Sequence, residues 1–362
     1  MPGGIGERGA PALMAKDNQD VTRRKFLTES SEIGLGSVLT ASLGAAQQTR
    51  GDERTGRPTP QPSAGNSKKQ MPMRKLGGTG VEVSILGVGG GGRGRNPQIR
   101  GTSERPEIRE KAEQILHRAL DLGINYIDTC AGYGASESII GDVVAARRKE
   151  MFLATKCDKC HVSGDQLRRE LEQSLKRLQT EQIDLWQIHN IATLQQVETI
   201  FKKDRAIEVF QKAKEQGAVR FIGITVHTSR KVIEEVLSRC KDSGIEMDTL
   251  LMTFNVADQA SGGHGKQILN GHRSIGKIAM KVFASDGAAI IHQQKFSAET
   301  ALRYVLSHGF ATAIVGTHTL EELEENVRIV RDFQVCSKEE LGEIEQQVVR
   351  TNGRPLWTLT RR

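Results

Sequence analysis

Four residues interrupt otherwise apolar stretches with groups that hold or move protons: a carboxyl at Asp128, a phenol at Tyr133, an ammonium at Lys156 and an imidazole at His189. Asp128 closes the run NYID, Lys156 closes MFLATK and His189 closes IDLWQIH, while Tyr133 follows Asp128 by five residues. Lysine and aspartate are rarely buried without a partner, so a lysine at the end of MFLAT implies an anion close by. Asp128 is the obvious candidate. Each of these groups alone is more often structural than functional; four of them at three successive strand ends point to a site.

Two other patterns are weaker. Gly87-Val88-Gly89-Gly90-Gly91-Gly92 satisfies G-x-G-x-x-G, but no helix opens after it until about Glu104, and a dinucleotide fingerprint needs one at once. Loop flexibility beside the site is the expected use. Cys157-Asp158-Lys159-Cys160-His161 has the CxxCH spacing of covalent haem attachment. It begins one residue after Lys156, so a haem would fill the site itself; the expectation is incidental loop cysteines and no metal.

Bringing such groups together needs a scaffold whose strand ends converge. Short apolar runs at 85–88, 125–128, 151–155, 183–188, 219–225, 249–254, 277–283 and 311–315 read as strands. Ahead of them 74–76 and 81–83, separated by Gly77, Gly78 and Gly80, read as a hairpin. Stretches 105–122, 165–178, 207–216, 230–240, 298–307 and 320–330 carry apolar residues three or four apart, as helices do, and the 260–272 crossing is the least regular. Eight strand–helix units over about 260 residues make the repeat of an α/β protein of the (β/α)8 TIM-barrel type. A doubly wound sheet is the rival. The barrel places function at the C-terminal strand ends, where Asp128, Lys156 and His189 fall.

Composition removes other classes. The chain has 362 residues, 26% of them charged and 37% hydrophobic, which fits neither a wholly disordered chain nor a multispan membrane protein. Of the net charge of +7, residues 1–70 hold +3, from ten Lys/Arg against seven Asp/Glu, leaving +4 on the rest. Past residue 70 no basic run exceeds two or three residues, so no nucleic-acid partner is expected. Five cysteines without regular spacing exclude a disulfide framework.

The first seventy residues read separately. Thr22-Arg23-Arg24-Lys25-Phe26-Leu27 precedes a mildly apolar stretch, 33–46, that ends in Gly44, Ala45 and Ala46. This is the order of a twin-arginine export signal, too short to span a membrane as a mature helix. Residues 47–70 hold no Val, Ile, Leu or aromatic residue and cannot bury enough surface to order themselves. The expected organisation is a signal region at 1–46, a disordered linker at 47–70 and a barrel at 71–362. The expected location is outside the cytoplasm, with the twin-arginine machinery as partner; Glu32, at the edge of the apolar stretch, weakens the signal and keeps a cytoplasmic location as the alternative.

The segments MRKLGGTGVEVSILGVG, ALDLGINYIDTCAGYGASESIIG, FLATKC, LRRELEQSLKRLQTEQIDLWQIHN, GAVRFIGIT and IVGTHTLEELEEN occur in this order between about residue 73 and about residue 332. They resemble the successive signature stretches of the aldo-keto reductase family. The resemblance implies a barrel that binds NAD(P)H in extended form and reduces an aldehyde or ketone to an alcohol, or runs the reverse. It carries a catalytic tetrad onto Asp128, Tyr133, Lys156 and His189. Hydride arriving at a carbonyl carbon leaves charge on oxygen, so a proton donor must stand within reach of that oxygen. A phenol with a pKa of about 10 donates poorly at neutral pH unless a cation favours its ionised form. In this reading Tyr133 is the general acid, Lys156 the cation, Asp128 its counter-ion, and His189 orients the substrate oxygen.

The same resemblance implies cofactor contacts at Thr225, Asn255, Lys281 and Ser285 and, around the adenosine phosphate, at Gly316, Thr317, Glu322, Glu325 and Asn326. Members that select NADP place a lysine and an arginine where Gly316 and Glu322 stand here, which leans the expectation to NADH. Thr225-Val226 replaces a usual Ser-Asn, Leu251 a glutamine and Met280 an aromatic that stacks on the nicotinamide; Thr225, Asn255 or His227 would then supply a carboxamide bond. These departures keep open an alternative: a dinucleotide-binding barrel with little turnover, acting as a sensor or interaction subunit. The substrate is a small carbonyl compound of unstated identity. Arg93, Arg95 and Arg100, in the loop at 89–103, read as solvated surface.

Overall fold

The computed structural model describes residues 70–91, 106–227, 229–260, 263, 265–272, 274–284, 289–292 and 296–348. Two short strands, β1 (Met73–Lys75) and β2 (Glu82–Ser84), pair antiparallel as a hairpin. Eight further strands follow: β3 (Leu86–Gly89), β4 (Tyr126–Asp128), β5 (Phe152–Lys156), β6 (Ile183–Ile188), β7 (Val219–Val226), β8 (Thr249–Thr253), β9 (Gly276–Met280) and β10 (Thr312–Val315). All pair in parallel, and β10 bonds to both β9 and β3, so the sheet closes on itself. Closure excludes the doubly wound rival and fixes the (β/α)8 architecture. The helices are α1 (Pro106–Asp121), α2 (Ser136–Arg147), α3 (Gly164–Arg177), α4 (Leu194–Ile200), α5 (Ala206–Glu215), α6 (Arg230–Asp242), α7 (Val256–Ala260), α8 (Gly265–Asn270), α9 (Ala289–His292), α10 (Ala298–Leu306), α11 (Leu320–Arg331) and α12 (Lys338–Gln346).

Local chemistry accounts for the helix starts. Ser163 opens α3 with a reciprocal capping box to Gln166, and Leu167 and Leu171 then fall on one buried stripe. Thr319 caps α11 by accepting the Glu322 backbone N–H, with Leu323, Val327 and Val330 turned inward. One core lies between strands and helices, and a second fills the barrel, where Leu76, Val83, Phe152, Leu185 and Ile278 meet. Leu76 comes from the hairpin turn and plugs the end at which β9 begins. Gly77, at φ 55°, lets the turn close there, because a Cβ at that position would lie 2.3 Å from the Gly276 nitrogen. With the bottom plugged, the opposite rim is the open one. Register aligns that rim: Gly89 pairs with Asp128, Asp128 with Ala154, and Lys156 with Gln187.

Several expectations need adjustment. The run at 277–283 ends as a strand at Met280, because Lys281 turns into the left-handed region at φ 58° although Val282 and Phe283 continue the apolar pattern. The 260–272 crossing divides into α7 and α8. The stripe of helix α2 is blurred: Ile139, Ile140, Val143 and Val144 share one buried face, but Glu137 is buried with them while Ala145 and Ala146 are exposed. Signal and linker up to residue 69, the loop arginines Arg93, Arg95 and Arg100, and Ser285 lie outside the described residues. Among the described residues no helix is long and apolar enough to cross a membrane.

Candidate active site

Three adjacent strands deliver the charged groups. Lys156, the last residue of β5, is 2% exposed, and its Nζ donates to Asp128 Oδ1 and to the Thr129 carbonyl at 2.7 Å. Asp128, the last residue of β4, gives its other oxygen to Gln187 Nε2 at 3.2 Å. Burial opposes a charge on Lys156, but Asp128, Tyr133 and Cys130 more than compensate, so the ammonium holds its proton well above the ordinary lysine range. Burial pushes the Asp128 carboxyl up while Lys156 and Gln187 draw it back. The direction at Lys156 governs the pair, since both bonds to its nitrogen need a proton donor: it is an ion pair. An unpaired charge at this depth would cost several kcal/mol, and a partner is present.

Tyr133 stands above this pair, with Lys156 Nζ 5.3 Å from its ring centroid. Its backbone is fixed by a bond to the Cys130 carbonyl at 3.0 Å and by one from Ser136 at 3.2 Å, where α2 begins. The Thr129 and Ser136 hydroxyls, 2.7 Å apart, brace the same turn. A Cβ at Gly91 would lie 2.2 Å from Tyr133 Cε2, so glycine at this position lets the backbone lie against the phenol. His189 follows β6 directly, its ring edge-on to Tyr133 with centroids 6.0 Å apart. Its Nδ1 lies 3.3 Å from the Cys130 thiol, and its backbone N–H points at Cys157 Sγ, 3.4 Å away. Burial pushes the Cys130 thiol up to about 12 and that of Cys160 to about 11. The buried, neutral Cys130 thiol packs against the histidine. Among the described residues no cluster could hold a metal ion.

Asp128, Tyr133, Lys156 and His189 thus come together on one rim. Sequence reading missed two groups beside them, Gln187, which looks like one more residue of a buried strand, and Cys130, the neighbour of the histidine, and a third elsewhere on the rim, Thr253 at the end of β8, whose buried hydroxyl has no partner. The polar residue inside the run IDLWQIH was the one available signal for Gln187.

The positions implied for the cofactor lie on the other side of the rim and differ among themselves. Thr225 is buried on β7 and accepts the Asn190 backbone N–H at 2.7 Å. Asn255 has both amide atoms engaged: Oδ1 accepts from the Asp258 backbone at 2.9 Å and Nδ2 donates to the Lys281 carbonyl at 3.1 Å. It braces the turn after β9. Thr317 is 4% exposed and its hydroxyl has no partner, between β10 and the N-terminus of α11. Asn326 is buried, whereas Gly316, Glu322 and Glu325 are exposed. Glu322 accepts from the His318 backbone N–H at 2.8 Å. An orphaned buried hydroxyl before a twelve-residue helix is what an anionic phosphate would satisfy, so these residues fit a dinucleotide.

Comparison with known proteins agrees with this construction. The family model "Aldo/keto reductase family" matches residues 97–289. The chain belongs to the aldo/keto reductase family, whose members use NAD(P)H, and is an oxidoreductase of that class. It is 27% identical to L-galactose dehydrogenase of Arabidopsis thaliana, covering 76% of this chain and 94% of the relative. It is 23% identical to NADPH-dependent codeinone reductase 1-4 of Papaver somniferum, over 76% of this chain and 90% of the relative. The holo form of an aldo-keto reductase from Bacillus halodurans superposes with a TM-score of 0.62 at 24% identity, covering 77% of this chain and 97% of that one, a likeness that speaks for the fold.

Proposed function

We propose that the chain reduces a small aldehyde or ketone to an alcohol, or oxidises the alcohol, with Tyr133 as the proton donor. The observation that carries this is the buried Lys156–Asp128 ion pair beneath the Tyr133 ring. The nicotinamide, when bound, supplies hydride to the carbonyl carbon. As charge gathers on the carbonyl oxygen, Tyr133 passes its hydroxyl proton to it; the phenolate left behind faces the Lys156 ammonium, which Asp128 holds in place. His189 orients the oxygen. In the oxidative direction the same groups act in reverse order.

Thr317 and the N-terminus of α11 would hold a phosphate of the dinucleotide, and Thr225 and Asn326 line its path. Named relatives include NADPH users, and nothing in them favours NADH. The Glu322 carboxylate stands in the first turn of α11, where a 2′-phosphate would need cations, and Gly316 offers none, which favours NADH.

A second reading has its own observation. Leu251, 1% exposed in the barrel core, stands where a carboxamide-binding glutamine was expected. A barrel that holds the dinucleotide but turns over slowly would show this. Stopped-flow mixing with 4-nitrobenzaldehyde separates the two: rapid consumption of NADH or NADPH supports the enzyme, and tight cofactor binding without consumption supports the sensor.

Residues 1–46 form a twin-arginine signal and 47–70 a linker in this account, taking the barrel out of the cytoplasm. All five thiols of the barrel are buried, which suits a folded passenger entering an oxidising compartment. Exchange of Arg23 and Arg24 for lysines should retain the protein in the cytoplasm; unchanged export would remove this proposal.

A further inference from the structure

The Asp128 carboxylate is gripped from two strands. Lys156 on β5 and Gln187 on β6 are register partners, so their side chains leave the sheet on the same face and converge on one carboxylate. Lys156 takes Oδ1 and Gln187 Nε2 takes Oδ2 at 3.2 Å. Gln187 is completely buried, and its amide orientation is forced, because its carbonyl turned toward Asp128 would set two acceptors against each other.

We infer that Gln187 is a positioning residue: by donating to the Asp128 oxygen that Lys156 leaves free, it fixes the rotation of the carboxylate, keeps it ionised and so holds the ammonium beneath Tyr133. This rests on the proton-donor reading of the same site. A carboxylate with one oxygen bonded can turn about its Cβ–Cγ bond; with both bonded from different strands it cannot. The chemistry also requires a neutral donor. A second cation at 187 would compete with Lys156 for the carboxylate, and an anion would repel it; an amide supplies a proton without adding charge to the site.

The titratable groups around Asp128 make the sign of the effect definite. They are Lys156 from β5, Tyr126 on β4, Cys130 and Tyr133 from the turn after β4, and His189 at the end of β6. Of these, Lys156 lowers the proton affinity of Asp128. Removing the Gln187 donor takes away the other stabiliser of the charged form, so the carboxyl must protonate at higher pH.

The test uses the full chain with 13C-labelled aspartate, followed by infrared titration, the Asp128 band being assigned by its loss in Asp128→Asn. Gln187→Met keeps length and apolar volume while removing the donor, and should move the midpoint of Asp128 up by about one pH unit. Gln187→Glu, two carboxylates on one ammonium, should move it further. An unmoved midpoint in Gln187→Met overturns the inference; if that variant fails to fold, an unmoved midpoint in Gln187→Glu does so. The kinetic counterpart is the acid limb of kcat/KM for 4-nitrobenzaldehyde reduction, expected to follow the infrared midpoint while the cofactor dissociation constant stays within about twofold. A midpoint that moves while the acid limb stays fixed would count against the role of Asp128 in proton donation, leaving Gln187 as its positioning residue.

Discussion

The two halves of the barrel rim are built differently. On the side of β4 to β6 the polar groups are bonded to polar neighbours, Lys156 to Asp128, Asp128 to Gln187, His189 to Cys130 and Thr129 to Ser136, although the Gln187 carbonyl oxygen and the Tyr126 hydroxyl are buried with no partner. On the side of β8 to β10 the hydroxyls of Thr253 and Thr317 are buried with no partner, and Asn255 is engaged only with backbone. Groups that must share a proton and a charge are held to each other before any ligand arrives, which is what preorganised electrostatics requires. In the proposed function the chemistry falls on one half and the cofactor on the other.

The largest effect that could break this comparison comes from the bonded half. Lys156→Met leaves the Asp128 carboxylate buried without its cation and should destabilise the fold by about 3–5 kcal/mol near neutral pH. The sign with pH follows: Asp128 then has a raised folded pKa, so the deficit should shrink as acid protonates it and widen as pH rises. Chemical denaturation across pH checks both. A loss that is small and flat with pH would mean that the pair is not an ion pair.

The open half should respond oppositely. Thr317→Val removes a hydroxyl that bonds nothing in the protein, so apo stability should hold or rise slightly. Affinity for the dinucleotide should fall by roughly tenfold, the worth of one hydrogen bond to a charged group. A stability loss without an affinity loss would assign Thr317 to the fold alone. The smallest effect is at the edge of this half: Glu322→Lys should shift the ratio of NADPH to NADH affinity toward NADPH by a few-fold, modest because the side chain is exposed and screened. An unchanged ratio would detach Glu322 from cofactor choice.

The bonded half was also the more legible in the sequence, for a physical reason. Buried strands are short apolar runs, and a lysine or aspartate at the end of one stands out because charge is expensive there. Asp128, Lys156 and His189 could be placed on one rim from that contrast alone. Gln187 could not: an uncharged amide inside IDLWQIH carries no comparable signal, and its partner lies two strands away. The end of β9 was misplaced because Val282 and Phe283 extend the apolar pattern while the backbone turns at Lys281. Helix α2 was not marked out because Glu137 is buried on its inner face and Ala145 and Ala146 lie on its exposed one, which blurs the apolar stripe. On the open half, a buried unpartnered hydroxyl such as that of Thr253 leaves no trace in hydrophobic periodicity.

Single-turnover reduction of 4-nitrobenzaldehyde by Tyr133→Phe, with cofactor binding followed by fluorescence in the same preparation, reaches the heart of the matter. The exchange removes one hydroxyl and leaves the ring against Gly91, so binding should be nearly unchanged while the rate of the chemical step falls by at least about two orders of magnitude. A rate close to that of the unaltered protein would show that the proton comes from somewhere else.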